Sequence, residues 1–204
     1  MRKLAFAAVL LVAAVGTALA QAPATPAAPA PGRGAAPAMR AVGMMLSSPD
    51  FQDGGIIPDQ YTGKVNTPGQ PPKAISPTLT WTGTPAGTQS FVMIMHDLDV
   101  MVGKGTGDNL HWLAFNIPGT ATSLPQAVPN TTTLPDGTIQ PRRGNTVGYA
   151  GPGAPAPIYH HYVFSIWALD TKLSLTETAT RDEVMKAMDG HVLDKGFTVG
   201  RFHR

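Results

Sequence analysis

The chain has 204 residues, of which 15 are basic and 13 acidic, with six histidines, no cysteine and 43% hydrophobic residues. Without cysteine there is no disulfide framework, no thiolate metal site and no thiol nucleophile, so stability rests on packing. The net charge of +2 falls to balance, 13 against 13, once Arg2 and Lys3 are set aside, which removes the electrostatic footprint that nucleic-acid binding needs.

Arg2-Lys3, the apolar run Leu4 to Val15 and Ala18-Leu19-Ala20 before Gln21 have the basic start, apolar middle and small-residue ending of a secretory signal. The run is short for a membrane span. Residues 1–20 are therefore expected to be a signal peptide, and the protein to be exported, periplasmic or secreted. Residues 21–38 are almost entirely Ala, Pro, Gly and Thr, with Arg33 as the only charge. Such a segment buries too little apolar surface to offset its ordering entropy, which predicts a disordered linker. Residues 39–204 remain as one domain, long enough for a sizeable core.

Within that domain, glycine and proline separate short β-rich runs. Strands are predicted over Ala41–Ser47, Pro77–Thr82, Phe91–Asp97, Trp112–Ile117 and Tyr162–Leu169, with a weaker one over Phe197–Phe202. Asp53-Gly54 and Asp136-Gly137 mark tight turns, where glycine supplies positive φ. One helix is predicted, with Thr180 as N-cap, Arg181 to Asp189 as body and Gly190 as stop. The run Phe91-Val-Met-Ile-Met95 is continuous rather than alternating, which points to a strand covered on both faces. The expectation is a mostly β fold, a sandwich of two packed sheets with one or two peripheral helices.

Two polar clusters interrupt these apolar runs: Asp97-Leu-Asp99 with His111-Trp112, and Gly148-Tyr-Ala-Gly-Pro152 with His160-His-Tyr162. Carboxylates and imidazoles are costly to bury, so their place at strand ends suggests a ligand pocket. Alternation sends His160 and His161 to opposite faces and puts Tyr162 on the side of His160. His96 points away from Asp97 by the same rule. Taken alone, His111 reads as a core histidine, while capping a loop or holding a turn is the lesser alternative for Asp97 and Asp99. Trp81, Trp112 and Trp167 read as core. Gly103-Lys-Gly-Thr-Gly107 lacks the spacing of a phosphate-binding loop and reads as a loop beside the pocket, with Lys104 available to anions.

In order and spacing these clusters resemble the phosphatidylethanolamine-binding protein family, in its bacterial Raf-kinase-inhibitor-like branch. Ser48-Pro-Asp-Phe51, Gly54-Gly-Ile-Ile-Pro58, Ser76-Pro-Thr-Leu-Thr-Trp81, Asn116-Ile-Pro118 and Gly190-His-Val-Leu193 carry the same resemblance. It implies a β-sandwich whose small cavity binds phosphate or other anionic head groups. Carried over by position, Asp97, Asp99, His111, His160 and Tyr162 line it, and backbone near Gly151 adds N–H donors. On that reading both imidazoles and the phenol donate to phosphate. An ionised aspartate would repel phosphate, so it either holds a proton, meets a monoanion, or orients a histidine instead.

The sequence departs from the family pattern at Leu98, at Val100-Met101, and at His161, which stands where the family has arginine. The segment before His160 lacks the usual glycine. The leading expectation is an exported binding protein for small anionic or phosphate-bearing ligands, with no cofactor, no metal, no nucleic-acid partner and no membrane span after signal removal. Regulation of an exported protease or another protein partner is the alternative, and the resemblance leaves a homodimer open. A hydrolase using the His/Asp cavity is the less favoured reading, since neither H-E-x-x-H nor G-x-S-x-G occurs.

Overall fold

The computed structural model describes residues 43–65 and 73–204; the expected signal peptide (1–20) and linker (21–38) lie outside them. Eight strands form two sheets. The smaller holds β1 (Met45–Ser47), β3 (Leu79–Thr82) and β6 (Ser123–Leu124), all antiparallel, in the order β1-β3-β6. The larger holds β2 (Gly55–Ile56), β4 (Ser90–Asp97), β5 (Asn109–Pro118), β7 (His160–Leu169) and β8 (Val192–Phe202), in the order β2-β8-β7-β4-β5. Only the short β2–β8 pair is parallel. One α-helix, α1 (Arg181–Met188), and two 3-10 turns complete the described elements.

β4 is central, and its two faces explain its unbroken apolar run. Phe91, Met93 and Met95 join a core shared with Leu46, Leu79 and Trp81 of the small sheet. The rings of Trp81 and Phe91 meet edge to face at 5.2 Å across the gap. Val92 and Ile94 face the other way, into a cluster closed by Leu173, Val184 and Met188. The continuous run thus reports a sheet on one side and a helix with its flanking loop on the other.

That helix begins as its sequence dictates. Thr180 accepts from the Glu183 N–H, and the Glu183 carboxylate accepts from the Thr180 N–H, a reciprocal capping box. Asp189 ends it and Gly190 follows at φ 82°.

β8 is longer than the predicted Phe197–Phe202. Its glycines lower strand propensity in the sequence, yet each permits a close approach. A Cβ at Gly196 would lie 2.9 Å from the Met44 carbonyl oxygen, and one at Gly200 would lie 2.4 Å from Ile57.

Candidate functional site

The polar residues gather where β4, β5 and β7 end together. Asp97, the last residue of β4, is opposite Asn109 on β5 and Tyr162 on β7. Its side chain continues the face of Met93 and Met95, so the site sits at the open end of the core between the sheets.

His111 reaches the same place through a β-bulge. Met95 pairs with Trp112 and His96 with Leu110, so His111 is skipped in the ladder. Leu110 and Leu113 pack into the helix-side cluster and Trp112 into the inter-sheet core. Two consecutive residues, His111 and Trp112, thereby face inward, which strict alternation forbids and a bulge allows. The bulge also leaves carbonyls without ladder partners. Arg143 donates to the carbonyls of Leu110 and His111, and the Ala150 N–H donates to His111 O at 3.0 Å. Burial lowers the pKa of this guanidinium.

Asp97, His111, His160, Tyr162, Asn109 and Val100 line a pocket of about 220 Å³, with Gly153 to Pro155 closing one wall. Asp97 is only 2% exposed. One of its oxygens accepts from the Asp99 N–H at 2.9 Å and the other from His160 Nδ1–H at 2.8 Å. Two donors therefore hold this carboxylate, and of the three roles open to it the geometry supports orientation of His160. With Nδ1–H committed to Asp97, His160 Nε2 is the ring nitrogen without a partner among the described residues.

His111 is held differently. Its Nδ1–H donates to Ala150 O at 2.8 Å, which leaves Nε2 as an acceptor for the Asn109 amide at 3.0 Å. Burial pushes its pKa down; the Ala150 carbonyl opposes this, Arg143 reinforces it, Asp97 opposes and His160 reinforces. The ring is thus neutral with both nitrogens used. Tyr162 is fully buried, stacks edge to face on His111 at 5.1 Å, and accepts from the N–H groups of Gly153 (3.3 Å) and Ala154 (3.2 Å). Burial, with the charge of Asp97, raises its pKa above the usual phenol range.

Four of the residues selected from sequence, Asp97, His111, His160 and Tyr162, are therefore brought together. One of the expected phosphate donors is already spent, because the His111 N–H serves Ala150. Asp99 and Gly151 are placed elsewhere. Asp99 accepts from the His161 backbone N–H (2.6 Å) and pairs with His161 Nδ1 (3.0 Å), on the outer side of β7. Burial opposes its ionisation, but the two bonds and the charge of His161 hold its pKa below the usual carboxylate range. His161, in the position of the family's arginine, thus keeps a partner. His96 points away as expected and pairs with Asp108, which Arg181 also binds.

Gly151 lines a neighbouring cavity of about 300 Å³ with Asn130, Asn145 and Thr146. Its lining has no imidazole or carboxylate, so the smaller pocket is the chemically equipped one. A Cβ at Gly151 would stand 2.8 Å from Ala74 Cβ and from the Thr62 carbonyl carbon, and 2.9 Å from Gly63 N. Gly151 acts by close packing. Gly151→Ala is expected to cost at least about 1 kcal/mol in urea unfolding, the lower end for overpacking; an unchanged midpoint would show that the wall yields freely.

Sequence reasoning missed Asn109 and Arg143. Asn109 stands two residues before His111 on a predicted pocket edge, a signal that was available. Arg143 gave none, because its role depends on a bulge that sequence does not announce.

Comparison with known proteins follows from this geometry. The family model for phosphatidylethanolamine-binding protein matches residues 47–203. A UPF0098 protein of Methanothermobacter thermautotrophicus is 38% identical over 162 residues, 79% of this chain and 99% of its own length. The UPF0098 protein YbhB of Escherichia coli is 38% identical over 130 residues, 62% of this chain and 78% of its own length. The crystal structure of Escherichia coli YbcL, described as a new member of the mammalian PEBP family, superposes with a TM-score of 0.67 at 26% identity, covering 79% of this chain and 99% of that one.

Proposed function

The chain belongs to the phosphatidylethanolamine-binding protein family, and from that premise we propose that it is an exported binding protein for small phosphate-bearing ligands, held in the pocket of Asp97, His111, His160 and Tyr162. The observation that carries this reading is the Asp97–His160 pair. A buried carboxylate held by two donors fixes one imidazole through its Nδ1–H, and that ring lines the cavity with Nε2 uncommitted. In its charged form that ring donates to a phosphate oxygen with the strength of a charge-assisted bond. The aspartate repels the ligand little, since its oxygens are turned to donors inside the wall. A volume of about 220 Å³ suits a head group or a free phosphate better than a larger metabolite.

His160→Ala is expected to weaken phosphoethanolamine and inorganic phosphate at least about tenfold in calorimetric titration, the equivalent of one charge-assisted bond. Unchanged affinity for both ligands in a folded variant would remove the pocket from consideration. Export is supported by the pattern of residues 1–20, and mass spectrometry of the protein recovered from outside the cytoplasm should find Gln21 as its first residue.

A further inference from the structure

We propose that the neighbouring cavity of about 300 Å³ is a second ligand site, fitted to a neutral sugar ring and independent of the anion pocket. Its volume is at the lower end of the range for small-molecule sites. Asn130, Asn145 and Thr146 supply its polar lining, Val147 and Tyr149 its apolar lining, and no charged side chain lines it. Buried side chains hold both lips in place. Gln140 is fully buried; its amide donates to the carbonyls of Pro129 (2.7 Å) and Thr131 (2.8 Å), and its oxygen accepts from the Trp112 indole at 2.7 Å. Asn130 therefore sits on a pinned stretch of backbone. Its Oδ1 accepts from the Tyr149 N–H at 3.2 Å, which leaves its amide nitrogen uncommitted. Only glycine permits that approach: Gly148 has φ 72°, and a Cβ there would lie 2.4 Å from Asn130 Oδ1.

The other lip is a tight turn. Arg143 and Thr146 exchange both backbone hydrogen bonds, at 2.8 and 2.9 Å, with Gly144 and Asn145 at the tip. Arg143 is itself anchored on the carbonyls of Leu110 and His111. The polar groups on these fixed lips are unspent. Among the described residues the side chains of Asn145 and Thr146 form no hydrogen bond, and neither does the Asn130 amide nitrogen. Two amides and a hydroxyl thus offer donors and acceptors together, with no charge to select an ion. Val147 and Tyr149 add carbon surface beside them. That combination matches a pyranose, whose hydroxyl rim needs donors and acceptors alike while its C–H face needs apolar contact. A peptide would need free backbone partners along an open edge. Here the Ala150 peptide is already closed, because its N–H and its carbonyl both bond His111.

Nuclear magnetic resonance of the full chain, labelled with heavy nitrogen, tests the site directly. Methyl α-glucopyranoside and N-acetylglucosamine are titrated up to about 100 mM, well above the millimolar Kd that a few neutral hydrogen bonds supply. The expected result, with at least one sugar, is saturable movement of the Asn130 and Asn145 side-chain amides and of the backbone signals from Tyr149 to Gly151. Combining Asn145→Ala with Thr146→Val should weaken that binding about tenfold, since two neutral hydrogen bonds are lost. Neither side chain is bonded within the protein, so the fold is kept. A folded His160→Ala variant should bind the sugar as wild type does. No movement with either sugar, movement spread beyond the cavity, or loss of binding in His160→Ala overturns the proposal. Tighter binding of N-acetylglycine methylamide overturns it too, by making the cavity an amide site. Phosphoethanolamine calorimetry on the double variant separates the two cavities: its heat should equal that of wild type, and heat absent from both counts against the anion pocket alone.

Discussion

Asp97→Ala is expected to cost about 3 to 5 kcal/mol of stability and to abolish phosphate binding, because one buried carboxylate satisfies two donors at once. Removing one partner of a buried pair leaves the other uncompensated, and that is the range for such losses. Here the orphans are the Asp99 N–H and the His160 Nδ1–H. The position is 2% exposed, so water does not replace the carboxylate cheaply. For a domain of this length the loss corresponds to a fall in melting temperature of roughly 6 to 20 °C.

Asp97→Asn separates the two parts of that effect. The amide keeps the shape and still accepts one hydrogen bond, so the stability loss should be smaller, about 1 to 3 kcal/mol for the mismatched donor. His160 then loses the carboxylate that holds its Nδ1–H, and with it the fixed orientation of the ring. Binding in the asparagine variant should therefore drop while most of the fold survives. Urea unfolding followed by tryptophan fluorescence, with phosphoethanolamine calorimetry, measures both. If Asp97→Ala unfolds at the wild-type midpoint, the bond network around Asp97 is not what holds this end of the sheets.

The parts of the molecule that sequence made legible were those set by local rules. The capping residues Thr180 and Glu183 and the stop at Gly190 define α1 by themselves, and the apolar run of β4 signals burial on both faces. Alternation correctly placed His160 with Tyr162 and sent His161 and His96 outward. What sequence could not show was anything depending on a break in alternation or on distant backbone. The bulge that turns His111 inward is one instance, and the carbonyls it leaves for Arg143 are another. Gly196 and Gly200 argue against a strand locally, and only the approach of Met44 and Ile57 makes them necessary. Asp99 was carried into the site by position, yet its carboxylate bonds the backbone N–H and the ring of His161 on the outer side of β7. The same limit applies to the donors. Counting side chains gave three phosphate donors, whereas the structure shows the His111 Nδ1–H committed to the wall.

Stability should fall as pH drops below about 6.5, the ordinary value for histidine, and His111 should account for a separable part of the fall. Burial, together with Arg143 and His160, depresses its folded pKa, and the Ala150 carbonyl and Asp97 compensate only in part. Between that depressed value and 6.5 the unfolded chain binds a proton at this position and the native protein does not. Stability then rises with pH through the window and is lost as pH falls, by about 1.4 kcal/mol for each pH unit, before levelling off once the native ring also protonates. His111→Gln removes the titration. Its unfolding free energy should differ from wild type by a constant amount at pH 7 and above. In acid the two curves should converge, because only wild type pays the proton penalty. Urea titrations at intervals from pH 8 to pH 4.5 give the comparison directly, and parallel curves would mean that His111 titrates alike in both states. A bound phosphate would act in the opposite direction, since its charge beside the ring offsets Arg143. The acid loss should therefore shrink more in saturating phosphoethanolamine for wild type than for the variant, and that difference ties the proton linkage of His111 to occupancy of the pocket.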